Sequence, residues 1–193
     1  MRGGNGSRPI QTERLRLRNF RAVDAEGLLA YLREPRARCF LSMKLADLAA
    51  AGTEAARGGS SDEHAAIALA GTDNLIGDLF AAREEPDTHS VGWNLNADHA
   101  GAGFALEAAR ALFRHIFDDR GARRLHAYVE VDNASSRRLC ERLGMRVEGT
   151  FVEFVTFTGD PDGMPVREDT MQYAILRREW NAAGRARAAA RVA

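Results

Sequence analysis

Lysine is nearly missing from this 193-residue sequence: Lys44 stands alone, and arginine supplies the remaining basic side chains. The 27 basic residues are matched by 27 acids, so no net positive field marks the chain for nucleic acid. Cysteine is scarce as well. Cys39 and Cys140 are the only two, with no CxxC and no Cys/His cluster, which excludes a disulfide scaffold and leaves no metal-binding pattern. A reducing, cytoplasmic setting is expected. No apolar run reaches the ~20 residues needed to cross a bilayer, and the Gly/Arg/Ser-rich opening Met1–Pro9 lacks the apolar core of a signal peptide.

What is present is ordinary globular composition, 45% hydrophobic and 28% charged, at a length suited to one domain. Residues 1–9 read as a flexible arm, 10–177 as the domain and 178–193 as an Arg/Ala-rich tail that either extends a helix or stays free. Leu15–Arg18 alternates at period two and reads as a half-buried strand. Asp24 is placed to cap a helix over Ala25–Leu32, and Leu41–Arg57 reads as a second helix. Ala65–Ala70, Leu75–Ala82 and Ser90–Leu95 are short apolar runs between turn residues, hence consecutive antiparallel strands. A helix over Gly103–Phe117, a strand over Leu125–Val131 and a helix over Ala134–Leu143 follow. Two last strands, Arg146–Thr158 and Asp169–Leu176, close the chain. The order is mixed α/β, with a strand–helix–strand unit at its centre that implies local parallel pairing.

The central unit runs Trp93-Asn94-Leu95-Asn96 into Asp98-His99-Ala100-Gly101-Ala102-Gly103-Phe104-Ala105. Glycines at 101 and 103 let a backbone approach an anion, and the helix behind them presents unpaired N–H groups and a partial positive charge. By itself this Gly-x-Gly serves equally well as a turn that needs positive φ. A dinucleotide fold is disfavoured because Leu106 stands where its third glycine belongs and three strands precede the loop. A nucleotide P-loop is excluded because no Gly-Lys-Ser/Thr follows. Along the helix, Ala105, Ala109, Leu112 and Ile116 share one face, and Glu107, Arg110, Arg114 and Asp118 share the other, spaced to pair.

Asn133 opens the next helix and reads as its N-cap, with Ser136 at the third position. Ser136, Leu139, Cys140 and Leu143 face inward, where on pattern alone Ser136 and Cys140 are more commonly just small core residues. Gly144 is the expected stop.

The ordered set, Asp98–Ala105, then Asn133-Ala134-Ser135-Ser136, then Leu139-Cys140-Glu141-Arg142-Leu143-Gly144-Met145, resembles the GNAT superfamily of acyl-CoA-dependent N-acyltransferases. Within it the chain is most similar to the ribosomal-protein N-terminal alanine/serine acetyltransferase branch. Thr12–Arg18, Ile76-Gly77-Asp78, Glu148-Gly149-Thr150 and Asp169–Tyr173 resemble further strands of that branch. The resemblance implies a mixed, mostly antiparallel sheet of about seven strands with a splayed parallel pair and four helices. It implies acetyl-CoA, or another acyl-CoA, with its pyrophosphate on Ala100–Ala105 beside His99. Its pantetheine arm would lie along Trp93–Asn96 and against Asn133, and its thioester near Ser136 and Cys140. The acceptor would be an amine, on a protein N-terminus or a small molecule, and a homodimer through the late strands is compatible.

Three positions depart from the family pattern: Asp98 replaces Gln or Arg, Cys140 replaces a Tyr general acid, and Ser90 replaces a Glu. Ser136 is therefore the expected donor to the departing thiolate, with a backbone N–H near Leu95 facing the carbonyl oxygen. Cys140, set among leucines, is the weaker candidate, so direct transfer is expected over an acyl-cysteine. His126, Tyr128, Glu130, His89, Glu84, Glu85 and Glu153 are the candidate bases. The alternatives are a non-catalytic acyl-CoA-binding or sensing module and an NAD(P) oxidoreductase.

Overall fold

The computed structural model describes residues 9–189; the arm expected over 1–9 lies, but for Pro9, outside the described residues, as do 190–193. One eight-stranded sheet orders the molecule as β1-β2-β3-β4-β5-β6-β8-β7. The strands are β1 (Ile10–Gln11), β2 (Leu15–Arg18), β3 (His64–Leu69), β4 (Leu75–Glu84), β5 (Thr88–Leu95), β6 (Arg124–Glu130), β7 (Arg146–Gly159) and β8 (Pro165–Leu176). Every pairing is antiparallel except β5 with β6. The eighth strand beyond the seven expected is the two-residue β1.

Among the described residues five α-helices cover the sheet: α1 (Ala25–Leu32), α2 (Leu48–Gly59), α3 (Phe104–Arg114), α4 (Ala134–Leu143) and α5 (Arg177–Ala189). They build two cores on opposite faces. Leu28, Tyr31, Leu32, Ala51 and Ala55 of α1 and α2 pack with Phe20 and Ala66 on one face. Phe113, Ile116, Leu139, Leu143 and Trp180 pack with Leu79, Leu125 and Tyr173 on the other. Trp180 brings α5 into that core, its ring 5.8 Å from Phe113 and 5.9 Å from Phe117. The expected tail is thus helical as far as it is described. Among the described residues no helix is long and apolar enough to cross a membrane.

The elements depart from their expected bounds for local reasons. The helix expected over Leu41–Arg57 is broken: 3-10 turns span Arg38–Met43, and α2 starts afresh at Leu48. Asp47 makes the break by accepting the Ala50 N–H at 2.9 Å, a local bond that competes with continued helix. Asp24 opens α1 without capping it through its side chain. Its carboxylate instead takes both guanidinium arms of Arg18, at 2.7 and 2.8 Å, with both side chains 3% exposed. α3 gives way at His115 to one π-helical turn, His115–Asp119, that keeps Ile116 and Phe117 buried. β8 starts at Pro165, four residues before the expected Asp169, because the hairpin with β7 continues to Gly159↔Pro165; a strand start of this kind tolerates proline.

Candidate functional site

The parallel pair separates early. Thr88↔Arg124, His89↔Leu125 and Ser90↔His126 are its three rungs. Beyond Ser90, β5 stays with β4 as far as Leu95, and β6 stays with β8 to Glu130. A wedge therefore opens between two strand edges, with Val91–Leu95 on one side. An extended ligand can add itself to such an edge by main-chain hydrogen bonds.

The glycine loop stands at the wide end of this wedge. Asn96 Oδ1 accepts the Asp98 N–H at 3.1 Å, and the His99 and Ala100 amides are spent inside the turn, on Asn96 and Ala97 carbonyls. Gly101 and Gly103 have φ of +80° and +82°, where a side chain costs strain. Gly103 is the N-cap of α3, with no side chain capping it. Phe104, Ala105 and Leu106 then hold the first-turn amides that no helix can satisfy from within. A Cβ added at Gly101 would meet nothing within 4 Å, so the cradle opens outward. Amides, dipole and open backbone together fit a diphosphate.

A brace for this loop went unnoticed in the sequence. Arg14 donates from Nη1 to the Ala102 carbonyl at 3.0 Å, pairs with Glu107 at 2.6 Å and lies 4.5 Å over the Phe104 ring. Thr12 adds a 2.6 Å bond to Glu107, and His99 meets Phe104 edge-on. Glu107 thus reaches the β1–β2 turn rather than simply lining a charged helix face. The only sequence signal was an arginine opening an alternating strand.

On the other side of the wedge, α4 is built as its pattern implied. Asn133 Oδ1 accepts the Ser136 N–H at 3.1 Å, and Gly144 ends the helix at φ +83°. Ser136 is half-buried, and its hydroxyl accepts the Trp93 indole N–H at 3.3 Å. This contact joins β5 to α4, bringing two expected site residues together. Cys140 is 0% exposed; burial pushes its thiol up to about 12, so it stays protonated and unreactive at neutral pH.

Of the expected bases on β5 and β6, His126, Tyr128 and Glu130 lie on the opposite sheet face, whereas His89 shares the face of Val91 and Leu125 that packs under α3. His126 is buried, with Nε2 2.9 Å from Glu84. Burial, then the charges of Arg120 and Arg83, pushes the His89 pKa down. Glu130 is buried and takes the Asn133 amide at 3.3 Å, whereas Glu153 and Glu85 stay exposed beside arginines. Tyr128, exposed, accepts from the Gln172 amide. One further acid, matched in Ile76-Gly77-Asp78 but not marked there as a site residue, is Asp78: opposite Asn94 in the ladder, it accepts the Tyr31 hydroxyl at 2.8 Å. Burial pushes its carboxyl up to about 7.

Comparison with known proteins accords with this geometry. Residues 14–146 match the family described as the acetyltransferase (GNAT) domain. A Bacillus subtilis protein described as the uncharacterized N-acetyltransferase YnaD is 29% identical over 175 residues, covering 89% of this chain and 99% of that protein. The ribosomal-protein-serine acetyltransferase of Escherichia coli is 34% identical over 79 residues, 40% of this chain and 44% of that protein. A crystal structure of a GNAT-family acetyltransferase from Bacillus anthracis superposes with a TM-score of 0.79 over 89% of this chain and 100% of that one, at 24% identity; that likeness shows the fold.

Proposed function

The chain belongs to the GNAT acetyltransferase family and is an acetyltransferase, and on that premise we propose that it moves an acetyl group from acetyl-CoA directly to a primary amine. The reading is carried by one observation, the Trp93–Ser136 hydrogen bond beside the wedge.

Acetyl-CoA supplies the reactive thioester. The amides of Gly101 to Ala105 hold its pyrophosphate, Arg14 keeps that loop in place, and the free edge of β5 takes its extended arm. The backbone N–H near Leu95 faces the carbonyl oxygen. Ser136 accepts a hydrogen bond from the indole N–H of Trp93 and so keeps its own O–H free to donate. It hydrogen-bonds the departing thiolate and relays to it the proton that the amine nitrogen sheds as the N–C bond forms and the C–S bond breaks. Cys140, closed in the core, contributes packing. An acyl-cysteine route would need its thiolate, which burial suppresses.

Ser136→Ala is the test. Thiol release should fall about ten-fold or more while calorimetry finds acetyl-CoA affinity close to wild type, as expected for a group that acts mainly in the transition state. Turnover equal to wild type would remove Ser136 from the reaction. Loss of affinity matching the loss of rate would make it a binding residue.

A further inference from the structure

A bulge in β7 assembles three aromatic rings where the sheet splits. Phe151 pairs with Thr170 and Val155 with Glu168, so Val152, Glu153 and Phe154 all stand opposite Asp169. Regular alternation would send Phe151 and Phe154 to opposite faces, being three residues apart. The bulge returns them to one face, with ring centroids 4.9 Å apart. Both rings also meet Tyr128, at 6.0 and 5.7 Å. The arrangement requires Glu153 at φ +49°, a conformation that persists in a non-glycine residue when its neighbours hold it. Here the Glu153 N–H donates to Asp169 Oδ1 at 2.8 Å and its carboxylate pairs with Arg167 at 3.2 Å.

The position of these rings matters as much as their chemistry. Tyr128 lies two residues past His126, which makes the last rung with Ser90, so it is the first side chain on this face beyond the split. The rings lie opposite the α3–α4 face that carries the glycine loop and Ser136. They remain open, with Tyr128 45%, Phe151 38% and Phe154 49% exposed.

From this placement we infer that Tyr128, Phe151 and Phe154 form the acceptor subsite and select an amine carried on an aromatic or bulky apolar group. The inference rests on the acetyl-transfer reading above and adds the class of acceptor. The neighbouring charges argue against a polycation. Glu84 is engaged with His126, Glu153 with Arg167, and both Glu168 and Asp132 with Arg38. Glu130 is taken by Asn133. The rings are the open apolar chemistry on this face and bind an apolar group by area. Their negative faces attract an attached ammonium, as do the buried Glu168 carboxylate oxygens, which have no hydrogen-bond partner beyond the Arg38 ion pair.

Thiol release from acetyl-CoA, followed with phenethylamine, butylamine, spermidine and kanamycin, tests the inference. In the wild type, kcat/KM for phenethylamine should exceed that for butylamine about ten-fold or more, the discrimination an apolar pocket gives for a group of that size. Spermidine and kanamycin should rank below both. Phe154→Ala should bring the phenethylamine-to-butylamine ratio towards one, mainly through KM, and Phe154→Tyr should restore it; acetyl-CoA binding checks that each variant is folded. Preference for spermidine or kanamycin, a wild-type ratio near one, or a ratio untouched by Phe154→Ala would overturn it. So would a dimer that Phe154→Ala dissociates without changing selectivity, since a second copy would then be what covers the rings. Release with none of the four amines also overturns it. Whether the reading beneath falls with it is decided separately, by titrating the wild type with acetyl-CoA.

Discussion

Single residues in this protein take their chemistry from enclosure more than from partners. Cys140 and Cys39 both have thiols pushed up to about 12, chiefly by burial, which leaves Ser136 as the accessible donor beside the wedge. Asp78 shows the same effect in an acid. Its carboxyl is raised to about 7 by burial, against the Tyr31 hydrogen bond, which favours the carboxylate. A carboxyl raised on folding keeps a proton that the unfolded chain has already lost. Stability therefore falls as pH climbs from the ordinary carboxylate range through about 7. Asp78→Asn should accordingly melt higher than wild type by several degrees near pH ~8 and gain less near pH ~5. An identical offset at both pH values would show that Asp78 does not titrate across that window. Neither Asp78 nor Arg14 stood out as a site residue in the sequence, because each becomes informative only through a partner distant in the chain.

Whole elements were far more legible, where their signals are local. α4 runs from Ala134 to Leu143 as its cap, apolar face and terminal glycine imply, and the αL glycines of the loop lie at the two positions the pattern marked. Legibility failed where tertiary contacts outvoted pattern. The alternation in Leu15–Arg18 suggested arginines on a wet face, yet Arg18 is 4% exposed, enclosed by Asp24 ahead of α1 and by Asp73 of the β3–β4 turn. The Phe151–Val155 bulge gave no sequence signal, since its cause is Asp169 on the neighbouring strand. The Arg18–Asp24 pair carries a prediction at this scale. Removing one member of a buried ion pair strands the other charge, so Arg18→Ala should cost about 3–5 kcal/mol in urea unfolding. The double variant Arg18→Met with Asp24→Leu should recover much of that loss. A single variant within experimental error of wild type would mean that water already reaches the pair.

At the scale of the whole molecule, the proposed reaction has its two substrates on opposite faces of one sheet, meeting where β5 and β6 diverge. The consecutive antiparallel strands before the loop, the single parallel pair and the helices that follow it were foreseeable from the alternation of elements and the family resemblance; the insertion of β8 between β6 and β7 was not. Which face would carry the rings was not, because that depends on long-range register. The proposed function stands or falls with acetyl-CoA binding at the loop Gly101–Ala105. Calorimetric titration of the wild type and Gly103→Ala with acetyl-CoA, and of the wild type with NADPH, tests it most directly. The wild type should bind acetyl-CoA saturably and give no binding heat with NADPH. Gly103→Ala, which places a Cβ at φ +82°, should bind about ten-fold more weakly, given a left-handed penalty of ~1–2 kcal/mol. Binding of NADPH in place of acetyl-CoA, or equal acetyl-CoA affinity in a folded Gly103→Ala, would contradict the claim.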